Sequence, residues 1–215
     1  PGIRWQTWNW REKCLGIKFL NKGNVANPLV ETRIYSNEKL SNDFVDSLIE
    51  EIKYRYNFNL NLTGFYKTFS KDKVLAPIFK KLRGMRPRHP SSLYEYLIIG
   101  IVLQNASVRR SVQMFKALLE NYGTLLEFDG KKLWCFWNVG RLQNVNVKNL
   151  RALKVGYRAK SIRKIDDNFS QGLISEYELR KKDRDTQMTE LLKLYGVGPA
   201  TAWYLLFDVF HHWDF

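Results

Sequence analysis

Over residues 1–35, Trp, Ile, Val, Thr and Tyr are interleaved with polar positions, and the turn-forming stretches NKGN (21–24) and ANP (26–28) interrupt them. That pattern predicts strands and hairpins. From Ser41 the period changes. In SNDFVDSLIEEIKYRY (41–56) the apolar positions Phe44, Val45, Leu48, Ile49, Ile52 and Tyr56 share one helix face, behind a Ser or Asn cap. Nearly everything afterwards predicts helix. KDKVLAPIFKKLRG (71–84) closes at Gly84, a C-cap signal. SSLYEYLIIGIVLQNA (91–106) follows Pro90 and is apolar almost all round, as a buried central helix would be. SVRRSVQMFKALLENYG (107–123) is amphipathic and closes at Gly123. Short helices fit 147–154, 158–169 and 174–181, and two more, 185–194 and 199–210, flank GVGP (196–199). No repeat or low-complexity stretch interrupts the chain. The expected architecture is α+β: a small antiparallel β-rich part with one or more helices over 1–62, then a mainly helical body over 63–215.

Composition narrows the partners. Hydrophobic residues make up 45% of the 215, enough for a substantial core and too many for wholesale disorder. Lys and Arg total 35 against 21 Asp and Glu, a net charge of +14. That excess is spread along the chain rather than gathered in a tail. It points to a polyanion, most often nucleic acid, with a basic soluble protein lacking such a partner as the blander alternative. The two cysteines, Cys14 and Cys135, form neither a disulfide framework nor a zinc motif, and fit a reducing, intracellular setting. The longest apolar run, LIIGIVL (97–103), is too short to span a bilayer. No signal peptide is visible, and the chain opens on Pro rather than Met, which leaves its natural N-terminus open.

The stretch LLKLYGVGPATAWYLL (191–206) carries the most chemistry. Gly196 and Gly198 are expected to supply the positive φ of a tight helix-to-helix turn. Pro199 suits the first turn of the second helix, where a missing N–H costs nothing. The free N–H groups there, with the helix dipole behind them, suit an anion, and a phosphate is the natural guest in so basic a chain. An ordinary αα-hairpin has the same pattern.

This stretch resembles the helix-hairpin-helix of the DNA glycosylase superfamily named for that motif. Other segments resemble the family in the right order. KKLRGMRP (80–87) is similar to its G-x-R stretch. GIVLQNASVRRSVQMF (100–115) is similar to the helix that enters DNA opposite an extruded base. LRALKVGYRAKSI (150–162) is similar to its L-x-x-L-G-x-G-Y-R-A-R/K segment. QTWNWRE (6–12) is similar to a segment of the N-terminal β domain of 8-oxoguanine glycosylases. The likeness covers nearly the whole chain and takes in the 3-methyladenine glycosylases as well.

Such enzymes rotate a damaged base out of the stack before cutting its N-glycosidic bond. By position, the resemblance makes Asn105 the side chain that fills the hole and Tyr157 the wedge beside the orphaned partner. Arg110 and Arg158 match arginines that bond an orphaned cytosine, whose N3 and O2 are acceptors. Gln104 matches a position at the end of the central helix that either secures the helix junction or faces the pocket. The hairpin residues Gly196, Gly198, Ala200 and Thr201 would hold the DNA backbone. Read as residues alone, Asn105 also suits a cap for the helix starting near Ser107, Tyr157 a core ring, and Arg110 and Arg158 solvated charges.

In family members that also nick the strand, a lysine sits two places after the second hairpin glycine and attacks C1′. Here that position is Ala200, so the resemblance implies hydrolysis by water with a carboxylate stabilising an oxocarbenium-like sugar. A lysine elsewhere in the chain is the alternative nucleophile. The family's catalytic Asp would fall just beyond Phe215, so the catalytic residue is unassigned and the chain is expected to be a piece of a longer protein. Asp214 is a remote substitute, and Asp208, on the second hairpin helix, a poorer one. If the chain does end there, a duplex-binding protein without activity is the rival reading. Trp5 stands where 8-oxoguanine glycosylases have a glycine whose carbonyl meets the oxidised base, so Trp5 is the candidate pocket residue. Oxidised and alkylated purines both stay open, with cytosine opposite.

His211, His212, Trp213 and Asp214 are a weak metal cluster. The resemblance implies instead a K⁺ or Na⁺ ion on the backbone carbonyls of Leu192, Leu194 and Val197, with no other cofactor. The expected partner is double-stranded DNA with a damaged base, bound by a monomer away from membranes, in the prokaryotic cytoplasm or nucleoid or in the nucleus.

Overall fold

The computed structural model describes residues 2–25 and 27–213, the side chain of Lys80 excepted. Strands β1 (Ile3–Trp10), β2 (Lys13–Asn21) and β3 (Val30–Tyr35) form an antiparallel sheet in that order. The β1–β2 turn places Arg11 at φ 45° and Glu12 at φ 65°, the twist that matches a two-residue hairpin, although neither residue is a glycine. The chain divides into two compact units. One takes Pro1–Arg4, Lys18–Arg33 and Asn37–Pro90; the other takes Trp5–Ile17, Ile34–Ser36 and Ser91–Phe215.

In the first unit, helix α1 (Asn42–Arg55) starts where Ser41 Oγ accepts the Phe44 N–H at 3.2 Å. Phe44, Leu48 and Ile52 bury one face. Glu51 and Arg55, four apart, form a buried ion pair at 2.6 Å, and Arg55 Nη1 also donates to the Pro90 carbonyl at 3.1 Å. Two short helices follow, α2 (Thr63–Thr68) and α3 (Leu75–Leu82). They meet through Phe79, whose ring lies 5.3 Å from that of Phe65 and 5.1 Å from that of Tyr66. The α2 helix falls in the part expected to be helical, but no stretch of sequence singles it out, and none of its residues is buried.

The second unit is built on α4 (Leu93–Leu103), with Ser92 and Glu95 in a capping box. Leu93, Tyr94, Leu97, Ile98, Ile101 and Val102 are buried, so α4 is the central helix that its apolar composition predicts. Full burial of each Leu or Ile contributes about 1.5–3 kcal/mol. It packs against α5 (Val108–Tyr122), α7 (Arg158–Ser170) and α10 (Pro199–Asp208). Strands β4 (Thr124–Phe128) and β5 (Lys131–Cys135) form an antiparallel hairpin, Leu126 opposite Leu133. The pair Asp129–Gly130, at φ 48° and 69°, makes its turn. Helix α6 (Val147–Leu150) runs into a π turn (Arg151–Val155), and α8 (Glu176–Leu179) and α9 (Arg184–Leu192) complete the body.

A buried network pins the loop after β5 to this core. Asp166, fully buried on α7, accepts from the Tyr94 hydroxyl at 2.6 Å and from the Gly140 and Leu142 N–H groups at 2.9 and 3.1 Å. The Trp137 indole donates to the Tyr94 oxygen at 2.8 Å. Burial, then the Asp166 charge, pushes the Tyr94 phenol well above its ordinary range, so it stays a donor. Among the described residues no helix is long and apolar enough to cross a membrane.

Candidate nucleic-acid interface

The end of α4 is built from Gln104 and Asn105. Gln104 turns the chain out of the helix at ψ 129°, and Asn105 takes φ 47°, a left-handed conformation that Asn tolerates well. Ser107, not Asn105, caps α5: its hydroxyl accepts the Arg110 N–H at 3.3 Å. Asn105 is therefore free of capping duty and exposed. Its Nδ2 donates to the Tyr157 hydroxyl at 3.3 Å.

Tyr157 lies just before α7 and is 55% exposed, so it is no core ring. The Arg158 guanidinium carbon sits 4.7 Å from the centroid of that ring. Arg158 is no solvated charge either. It is 7% exposed and donates to the backbone carbonyls of Gln104 and Val155. Arg110 Nη2 donates at 2.5 Å to the carbonyl of Lys154, which takes φ 62° inside the π turn. Both arginines, assigned by resemblance to a base, are thus tied here to backbone.

The hairpin between α9 and α10 corrects one expectation. Gly196 adopts φ 90°, as the turn requires, but Gly198 does not share it. Gly198 is extended at φ −102° and ψ 174°, as the N-cap residue of α10. One left-handed residue suffices because the extended Gly198 already aims the chain into the helix, with Pro199 in its first turn. Gly196 also lies against α7, where an added Cβ would stand 2.7 Å from Ser161 Oγ. Gln104 Nε2 donates to the Gly196 carbonyl at 2.8 Å, so Gln104 secures the junction. Ala200 is exposed and Thr201 half-buried in the first turn of α10, where the Ala202 N–H returns to the Gly198 carbonyl at 3.0 Å.

Leu194 and Val197 are buried and Leu192 is exposed, and the Leu194 carbonyl accepts the Val197 N–H at 3.1 Å. The sequence reading missed one feature beside this turn. Lys160 and Lys164 hold their ammonium groups 4.9 and 4.6 Å from the Tyr195 ring centroid. The signal was available: two lysines four apart share one face of a helix.

The remaining candidates lie elsewhere. Trp5 Nε1 donates to Asp129 Oδ2 at 2.5 Å in the β4–β5 turn, and Lys131 lies over its ring at 5.1 Å. Asp208 accepts the Tyr96 hydroxyl at 2.6 Å; burial, then this contact, raises the Tyr96 phenol above its ordinary value. His212 Nε2 meets the amide oxygen of buried Gln187 at 2.7 Å, so that nitrogen carries the proton. The His211 ring stacks on Trp213. No group of three or more metal-ligating side chains occurs among the described residues, and Asp214 lies outside them.

The structure thus gathers Gln104, Asn105, Arg110, Tyr157, Arg158 and Gly196 around the end of α4. A 3-methyladenine DNA glycosylase from Archaeoglobus fulgidus superposes on the chain with a TM-score of 0.76 at 16% identity, covering 97% of this chain and 69% of that one. The fold is that of the helix-hairpin-helix DNA glycosylases. An 8-oxoguanine glycosylase/lyase from Clostridium acetobutylicum, in complex with double-stranded DNA containing cytosine opposite 8-oxoguanine, gives a TM-score of 0.67 at 20% identity over 97% of this chain and 69% of that one. In sequence, the chain is 26% identical over 162 residues, 75% of its length, to a DNA-3-methyladenine glycosylase of Bacillus subtilis (strain 168). It spans about half, 54%, of that relative. No family model matches the chain.

Proposed function

We propose that this protein is a DNA glycosylase that extrudes a damaged purine from duplex DNA and hydrolyses its N-glycosidic bond. One observation carries the reading: two exposed side chains, Asn105 and Tyr157, are held to one another at 3.3 Å beside the glycine hairpin. An amide fits the polar space a base leaves behind, and a phenol ring stacks on a neighbouring base. The first turn of α10, with Lys160 and Lys164 near Tyr195, supports a grip on phosphate. Ala200 supports hydrolysis without a Schiff base, since a methyl group is no nucleophile. The damaged purine is oxidised or alkylated and the protein acts as a monomer; reading it opposite cytosine rests on the resemblance at Arg110 and Arg158 and requires these guanidinium groups to turn from the backbone carbonyls to the base.

The carbonyls of Leu192, Leu194 and Val197 are neutral oxygen donors close along one turn, a set that fits a hard cation of low charge. They would hold a K⁺ or Na⁺ ion, which would supply positive charge at the hairpin. The rival reading is a duplex-binding protein without activity. It is favoured by Asp208, the carboxylate of α10, being engaged by Tyr96.

The test uses duplexes carrying 8-oxoguanine, 7-methylguanine, hypoxanthine or uracil opposite cytosine, each reaction divided and analysed with and without hot alkali. Strand breaks only after alkali are expected. Breaks without alkali, with borohydride trapping, would mean that a lysine elsewhere in the chain is the nucleophile and overturn hydrolysis by water. Binding that weakens steeply with salt but yields no breaks would leave the rival reading.

A further inference from the structure

Gln104 is bonded twice, to two different segments. Its side-chain Nε2 donates to the Gly196 carbonyl at 2.8 Å, and its backbone carbonyl accepts from buried Arg158. The next residue is Asn105, held at φ 47° and bonded to Tyr157. Gly196 cannot shift freely: it stands at φ 90° with Ser161 directly beneath it. Arg158 cannot shift freely either, being 7% exposed at the start of α7. The amide of Gln104 is thus a strut between the hairpin and the loop that presents Asn105.

We propose that Gln104 is a positioning residue that couples the hairpin's hold on the DNA backbone to the insertion of Asn105. The inference rests on the glycosylase reading above. When the hairpin settles on phosphate, the Gly196 carbonyl fixes the Gln104 amide, and that fixes the left-handed turn at Asn105. A side chain of the same length without a donor breaks the strut and leaves the hairpin's own N–H groups in place. The hold on phosphate then survives while insertion becomes imprecise.

The experiment measures affinity by fluorescence anisotropy for an undamaged duplex and for one with a tetrahydrofuran abasic site opposite cytosine. Neither measurement needs base excision. The variants are Gln104→Met, of the same length without a donor, Gln104→Glu, of the same shape with acceptors alone, Asn105→Ala, and Gln104→Met with Asn105→Ala. Melting temperatures accompany each, and Gln104→Glu stands in if the methionine variant does not fold. We expect Gln104→Met to lose about tenfold in its preference for the abasic over the undamaged duplex, whatever its affinity for the undamaged one. Asn105→Ala should lose a similar preference, and adding Gln104→Met to it should lose nothing more, because the two act as one unit. Preference unchanged in Gln104→Met, or losses that simply multiply in the double variant, overturns the proposal. Wild-type protein that binds neither duplex overturns the glycosylase reading instead.

Discussion

Replacing Gly196 with Ala tests the hairpin at its tightest point. The new Cβ would stand 2.7 Å from Ser161 Oγ and 3.0 Å from Ser161 Cβ, at a backbone φ of +90°. The left-handed conformation costs an L-residue about 1–2 kcal/mol. Forcing a methyl group into packed contact with α7 costs about 1–3 kcal/mol more. The sum is about 2–5 kcal/mol. In a chain of this size 1 kcal/mol moves Tm by about 2–4 °C, so the variant should melt about 4–20 °C below wild type. Gly198→Ala is the control: an added Cβ there meets nothing within 4 Å, and φ is −102°. Its cost should be at most about 1 kcal/mol, from the poorer helix cap. Ser161→Ala removes the nearest atom, so Gly196→Ala should cost about 1 kcal/mol less in that background. Differential scanning calorimetry of the four variants decides the matter. Equal melting of Gly196→Ala and Gly198→Ala would refute the reasoning.

Three further outcomes are expected. Arg55→Leu removes one side of the buried Glu51–Arg55 ion pair and should cost about 3–5 kcal/mol, most of it recovered by adding Glu51→Met; chemical denaturation that shows no recovery would contradict a charge-burial origin. Arg158→Ala leaves the Gln104 and Val155 carbonyls without that donor and should cost about 1–3 kcal/mol per carbonyl that stays buried, read by the same denaturation. The Cys135 thiol, donating to the Cys14 sulfur, holds the Cys14 thiol down at about 6. A lowered value keeps Cys14 a thiolate to lower pH, so alkylation by iodoacetamide should rise through that pH and then level off. Cys135→Ala should move the rise upward, and an unmoved profile would rule out the Cys135 donor as its cause.

Most helices were legible because their apolar stripes are. Phe44, Leu48 and Ile52 bury one face of α1, and the capping Ser41 stands where the sequence puts a cap. The β4–β5 hairpin was not read, although Asp129–Gly130 is a strong turn signal. The flanking leucines Leu125 and Leu126 favour helix by propensity, and the pairing partner lies across the turn, where a local window does not look. The β1–β2 turn gave no signal at all. Arg11 and Glu12 adopt positive φ because the strands on either side demand it.

The site was legible as a set of residues and illegible as a set of bonds. Asn105, Tyr157 and Gly196 could be named from the motifs, because a motif fixes spacing along the chain. Spacing does not say what a guanidinium will find. Arg158 follows an exposed Tyr157 at once, yet the helix start turns it inward, onto the carbonyls of Gln104 and Val155. The guanidinium held there lies 4.7 Å from the centroid of the exposed Tyr157 ring, so the buried side chain backs the exposed one. A surface arginine at 158 would leave the Tyr157 ring without this support, and the wedge proposed for it needs a fixed ring. On the glycosylase reading proposed above, the burial of Arg158 would serve the DNA interface through Tyr157, since its guanidinium is bonded to backbone.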